Sequence, residues 1–266
     1  MYSNKKRGWS EINKRKKGQV TIFIIIAMII VGLAVLFFFI IPRGEITTEF
    51  DEKNPYAFIK TCIEDKIEDT VEIISLQGGS IAPEHYIIHK DEKVEYLCYT
   101  NEYYRNCVMQ QPLLKQHIES EIENEIRGDV VGCFNALRTS YEEKNYNVNI
   151  GPGITTVELL PKRIVTNFNY VLTVSKAQTD RYDSFSVVLN NNLYELVGIT
   201  NSILDFETRY GEAETSLYMN YYHDLGVNKS KKSDGSTVYT LKDINNEKKF
   251  QFALRSGALP PGYRTS

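Results

Sequence analysis

The 266-residue chain lacks the short signatures that announce enzymes. It has no Gly-x-Ser-x-Gly elbow, no Walker loop and no His-Glu-x-x-His pair. It has only four cysteines, and no Cys-x-x-Cys among them. Zinc sites usually draw on such close pairs, because one short turn aims two thiolates at the ion. No internal repeat or low-complexity tract is present. At 42% hydrophobic and 24% charged, with mean hydropathy −0.32, the composition excludes a polytopic membrane protein, a collagen-like chain and a wholly disordered one. The most informative absence is local: residues 19–41 carry no charge at all.

That gap divides the net charge of −3 into three parts. Residues 1–18 hold seven basic residues and one acid, Glu11, while everything after residue 41 sums to −9. The 22 uncharged residues 20–41 would make a helix of about 33 Å, long enough for the hydrocarbon core of a bilayer. The basic excess ahead of it predicts a cytoplasmic N-terminus and an extracytoplasmic remainder, residues 42–266. A cleaved secretory signal is the competing reading. The stretch is longer than a usual signal core, and no Ala-x-Ala-like site follows Phe39. A retained single-pass anchor is therefore expected, with the lipid bilayer as its first partner.

The junction Lys16-Lys17-Gly18-Gln19-Val20-Thr21-Ile22 resembles the class III signal of archaeal type IV pilin-like proteins. The resemblance covers only residues 16–41 and implies a cut between Gly18 and Gln19. It further implies assembly through the helix that remains. Two departures stand out. The fifth mature position is Phe23 where such helices often carry Glu, and Pro42-Arg43-Gly44 punctuates the chain directly after the apolar run. Beyond this region the chain resembles, vaguely, uncharacterised membrane-anchored archaeal proteins, a likeness that implies no activity.

Residues 42–53 read as a polar stalk and 54–266 as an α+β domain. Asn54-Pro55 supplies an N-cap and a first-turn proline. Ile59, Ile63, Ile67, Val71 and Ile74 then form an apolar stripe that ends at Gly78-Gly79. Residues 81–99 contain short strand-like alternations. Leu114, Ile118, Ile122 and Ile126 predict a second helix, with a stop at Gly128. From Tyr146 the period becomes two, and residues 154–160 and 163–174 read as a hairpin around Pro161-Lys162. A polar turn at residues 178–184 leads to a strand at 185–189. Asn190–Asn192 caps a third helix and residues 212–225 hold a short one. Residues 227–232, 237–242 and 250–255 form a three-stranded antiparallel ending, with Asp234-Gly235 at its first turn. Helices between separate antiparallel groups favour α+β over a wound parallel sheet.

An even cysteine count outside the membrane favours disulfides, which four cysteines can form in three ways. Cys98 and Cys107 bracket a natural eight-residue loop, and pairing Cys62 with Cys133 would tie the first two helices together. A four-thiolate metal site is the rival. His85 and His89 would share an ion on a helix, but Tyr86-Ile87-Ile88 between them is strand-like and separates them by about 13 Å. Asp243-x-Asn245-x-Glu247 resembles a calcium loop without its Gly or distal Glu. Glu119, Glu121, Glu123 and Glu125 read as solubilising charge. No cofactor is expected, and the acidic outer balance argues against nucleic acid.

Tyrosine is frequent, with 18 residues. Tyr96, Tyr99, Tyr103 and Tyr104 cluster around the Cys98–Cys107 loop, and Tyr218, Tyr221 and Tyr222 form a second group. Tyrosine supplies rigid contact area with a polar end, which suits recognition, although strands and half-buried surfaces favour it too. The expectation is a membrane-anchored surface protein with a structural or binding domain, Tyr99, Tyr103 and Tyr104 its contact surface. Its partners would be other membrane or surface proteins. A pilin-like subunit is the alternative, and an extracellular enzyme a third class without a motif.

Overall fold

The computed structural model describes residues 23–32 and 50–260. The chain divides into two units, residues 1–49 and residues 50–266. In the first, residues 23–32 are helical and apolar. The rest of the expected anchor, with Gly18 and Gln19, lies outside the described residues. Among the described residues no helix is long and apolar enough to cross a membrane.

The second unit is α+β. Asn54 caps α1 (Pro55–Leu76) by accepting from the Ala57 amide at 3.2 Å, as Asn-Pro predicts. The stripe Ile59, Ile63, Ile67, Val71 and Ile74 is buried throughout. The helix ends where Gly78 and Gly79 take positive φ, and a Cβ on Gly78 would sit 2.9 Å from that of Glu95. After it come β1 (Tyr86–His89), β2 (Glu92–Tyr99) and β3 (Val108–Met109).

Helix α2 (Leu114–Glu142) corrects the stop expected at Gly128. The glycine is exposed, and the buried positions continue beyond it through Val130, Cys133, Phe134, Leu137 and Tyr141. One unfavourable propensity of about 1 kcal/mol does not outweigh that burial. Strands β4 (Asn147–Ile150), β5 (Thr155–Leu160), β6 (Arg163–Phe168), β7 (Leu172–Ser175), β8 (Thr179–Tyr182) and β9 (Phe185–Asn190) follow. Here the single long second strand expected at 163–174 is two strands in different sheets. The polar turn expected at 178–184 contains β8, paired to β7. The chain closes with α3 (Leu193–Tyr210), α4 (Thr215–Tyr221), β10 (Leu225–Lys231), β11 (Ser236–Asp243) and β12 (Lys249–Arg255).

Strands β4-β7-β8 and β5-β6-β9 make two three-stranded sheets. The third runs β1-β2-β12-β11-β10, with β3 also on β2. Its β10-β11-β12 part is the antiparallel ending the sequence predicts. The β12–β2 pair, however, is parallel and matches Arg255 with Tyr99. The expected stalk also ends early: Phe50 packs edge-on against Phe58 and Tyr141, and Tyr141 donates to the Glu52 carbonyl at 2.8 Å.

The glutamates of α2 do more than solubilise. β5 is an edge strand, and its outward amides need acceptors. Glu123 accepts from Val157 N at 2.8 Å, and Glu119 from Leu159 N at 2.7 Å. Four helix residues rise about 6 Å and two strand residues about 6.6 Å, so the two spacings match. Glu121 accepts from Ile81 N at 2.8 Å, while Glu125 pairs with Lys66 on α1 at 2.9 Å. Glu123→Ala should cost about 1–3 kcal/mol and speed hydrogen exchange at Val157, whereas Glu123→Gln, which retains an acceptor, should cost much less. Equal exchange rates in both variants would show that the carboxylate is not the edge's cap.

Both expected disulfides are present, Cys62–Cys133 with Cα atoms 5.9 Å apart and Cys98–Cys107 with 5.4 Å. They span 71 and 9 residues of sequence. The chain-entropy estimate gives about 4 kcal/mol for the long loop and about 3 for the short one. Serine pairs at each bridge, compared by urea denaturation, should therefore show the greater loss at Cys62–Cys133.

Candidate functional site

The parallel β2–β12 pair sets the C-terminal ends of both strands side by side. Antiparallel partners would leave Tyr99 and Arg255 at opposite ends. Beyond the strands, the exiting chain is laced to the Cys98–Cys107 loop. Arg255 O accepts from Thr100 N at 3.1 Å, Ala258 O from Tyr104 N at 2.9 Å, and Arg105 O from Gly257 N at 2.7 Å. Cys107 N donates to Ser256 Oγ at 3.1 Å. The β10–β11 turn closes the third side. Gly235 has φ +86°, and a Cβ there would lie 2.5 Å from that of Ala258, so both its backbone and its lack of a side chain are needed.

These pieces enclose a cleft of about 370 Å³. His85, Tyr96, Tyr99 and Tyr103 give it ring walls, and Asp234 and Arg255 give it charge. The His85 ring lies 4.7 Å from Tyr96 and 4.3 Å from Tyr99, and the two tyrosines are 5.1 Å apart. Ser236 Oγ donates to Asp234 Oδ2 at 3.0 Å, so in the 2.8 Å bond between Tyr96 Oη and Ser236 Oγ the tyrosine donates. Asp234 Oδ1 accepts from Ser236 N at 2.9 Å. Burial, more than the nearby Asp234 charge, raises the Tyr96 pKa.

Arg255 is only 9% exposed. Its Nε donates to Asp234 O at 3.0 Å, one terminal nitrogen donates to Thr100 O at 2.5 Å, and its guanidinium lies 5.4 Å from the Tyr103 ring centre. It forms no ion pair among the described residues. A nearly buried cation thus rests on two carbonyls and a ring, with further N–H groups unused.

No protein-family model, no curated protein and no solved structure matches the chain.

Of the three tyrosines predicted as a contact surface, the structure brings Tyr99 and Tyr103 into the cleft. Tyr104, 62% exposed, is not among its lining residues. His85 belongs to the cleft, while His89 is buried elsewhere on the sheet and burial lowers its pKa. Among the described residues no three His, Cys, Asp or Glu side chains are placed to hold a metal ion. Asp243 is occupied as a turn clamp, accepting from Asn245 N at 2.8 Å and Asn192 Nδ2 at 2.7 Å. The second tyrosine group borders a shallower apolar cavity of about 300 Å³ with Phe206 and Leu217, beside α4, which buries none of its residues. Sequence reasoning missed Arg255 and Asp234 as site residues. Asp234 was visible only as a turn residue, and nothing in the spacing marked Arg255.

Half-buried Glu95 and buried Glu207 lie outside the cleft. Ser80 donates to Glu95 Oε2 at 2.5 Å, and its oxygen lies 2.8 Å from His117 Nε2. With its single proton on Glu95, the hydroxyl accepts from the imidazole. The order is acid, hydroxyl, imidazole, which differs from a nucleophile activated by a base. Burial raises the Glu95 pKa. Glu207, 2% exposed, accepts from Tyr239 Oη at 2.5 Å and Ala213 N at 2.9 Å, fixing the α3–α4 turn onto β11. Burial again raises its pKa above the ordinary 4.5, against the hydrogen bonds and Lys229. A carboxyl with a raised folded pKa favours folding below the unfolded value and opposes it as pH climbs through the folded one. Melting temperature should therefore fall between pH 4.5 and the raised pKa, and Glu207→Gln, which keeps an acceptor, should flatten that fall. An unchanged pH profile would place the ionisation cost elsewhere.

Proposed function

We propose that this is a single-pass membrane-anchored surface protein. Its disulfide-tied α+β domain is a non-catalytic binding module, and the Tyr99–Arg255 cleft is its contact site. The observation that carries the reading is Arg255, 9% exposed, without an ion pair among the described residues and beside a tyrosine ring, because a guanidinium held only by backbone carbonyls keeps donors for a ligand that enters the cleft. The anchor rests on the uncharged residues 19–41 and their basic leader. Residues 23–32 support it: they are helical, and side chains such as Phe23, Ile26 and Met28 are 47–73% exposed. Two disulfides fit an oxidising exterior.

Protease added to intact cells should release a soluble fragment beginning near Phe50 and carrying both disulfides. A chain protected from outside, or recovered in the soluble fraction of lysed cells, would overturn the topology. The Gly18-Gln19 junction favours one second reading, a pilin-like subunit processed there and assembled through its helix. A mature N-terminus at Gln19 supports it and an intact Met1 removes it.

A further inference from the structure

We infer that the cleft takes a hydroxylated carboxylate, a uronic acid of an acidic glycan, with Arg255 as its anion-binding residue. The inference rests on reading the cleft as a binding site. A guanidinium offers five donors in a planar fork, and Arg255 spends two of them on Asp234 O and Thr100 O. Both bonds, and the Tyr103 ring over it, hold the fork in place, so a ligand carboxylate meets a preorganised partner.

Asp234 decides what else the ligand must carry. Its carboxylate shares the cleft, so a bare anion placed against Arg255 would also meet a negative charge. Both of its oxygens are fixed by Ser236, one bond to each, and each retains a lone pair. Those lone pairs accept from hydroxyls. A ligand with one carboxylate and several hydroxyl donors therefore satisfies Arg255 and Asp234 together. The ring walls of His85, Tyr96, Tyr99 and Tyr103 suit the C–H faces of a sugar, and Asn101 and Ser233 add neutral hydrogen-bonding groups at the margin. A volume of about 370 Å³ accommodates one such residue rather than an extended chain.

The test is titration of the full-length chain in detergent micelles with glucuronate, glucose and N-acetylglycine, following the Arg255 Nε–H resonance. Saturable glucuronate binding, at least tenfold tighter than glucose and N-acetylglycine, is the expected result. Arg255→Gln should weaken it tenfold or more and Tyr103→Ala severalfold. Since Arg255→Gln frees two carbonyls and can unfold the cleft, the wild-type resonance shift and the Tyr103→Ala affinity decide the matter if that variant misfolds. Glucose binding as tightly as glucuronate would overturn the anion site. Equal binding of N-acetylglycine would show a peptide carboxylate to be the occupant and overturn the glycan, while the cleft stays a binding site. Saturation by none of the three would overturn the ligand class and the site together.

Discussion

Three sheets that share no ladder hydrogen bond form one core because two helices run between them. The seam between α1 and α2 is the constraint on which the rest depends. Its α1 side is Ile59, Ile63, Ile67 and Val71 at four-residue spacing with Ile74 three further on, and the first half of its α2 side is Leu114, Ile118, Ile122, Ile126 and Val130 at spacing four. Four residues overshoot a full turn by about 40°, so such a row winds around its helix instead of running straight. On a helix of 29 residues the winding is large, and it lets α2 serve different layers along its length. Near its start, Leu114 and Ile118 lie under Gly79; further on, Phe134 stacks on Tyr170 at 4.4 Å and meets Phe168 and Phe185. The Cys62–Cys133 bridge then fixes the seam where the spacing changes from four to three.

Small sheets also leave many edges, and this domain answers one of them with charge. The i and i+4 glutamates of α2 meet the i and i+2 amides of β5, a hydrogen-bonded joint between a helix face and a strand edge. Each carboxylate is half-buried, so the joint gains from charge-assisted bonds without the full desolvation cost of an interior ion. Glu207 lies deeper, and at Glu207 and half-buried Glu95 burial outweighs the hydrogen bonds they accept and their protons are held more tightly. The same residue type thus works as an edge cap on α2 and, at Glu207, as a titrating strut inside.

What the sequence made legible were features fixed by neighbours in the chain: the Asn54 cap, the α1 stripe, the Asp234-Gly235 turn, the β9 strand and the antiparallel ending. The disulfides were legible because one closes a short loop and the other joins two recognisable apolar stripes. The errors fall where distant burial overrules local preference. Gly128 reads as a stop only if Val130 to Tyr141 are ignored, and Asn169 to Val171 separate two sheets although the alternation of residues 164–174 runs on without a break. The parallel β2–β12 pair joins strands that most of the domain separates, so no local pattern predicts it.

That pair also explains why the cleft lies where it does. A parallel ladder brings two C-terminal ends together, and both chains must then turn away from the sheet at the same place. One leaves through the Cys98–Cys107 loop and the other through Ser256 to Ala258, and the bonds between them make the crossing rigid. Arg255 stands at the crossing with two donors on the carbonyls of Asp234 and Thr100, so its position is set by backbone rather than by a mobile acid. A structural ion pair would neutralise the charge and close the site. Carbonyl dipoles hold the guanidinium without an ion pair among the described residues, so two of its five donors fix its place and its charge is not cancelled by a bonded carboxylate.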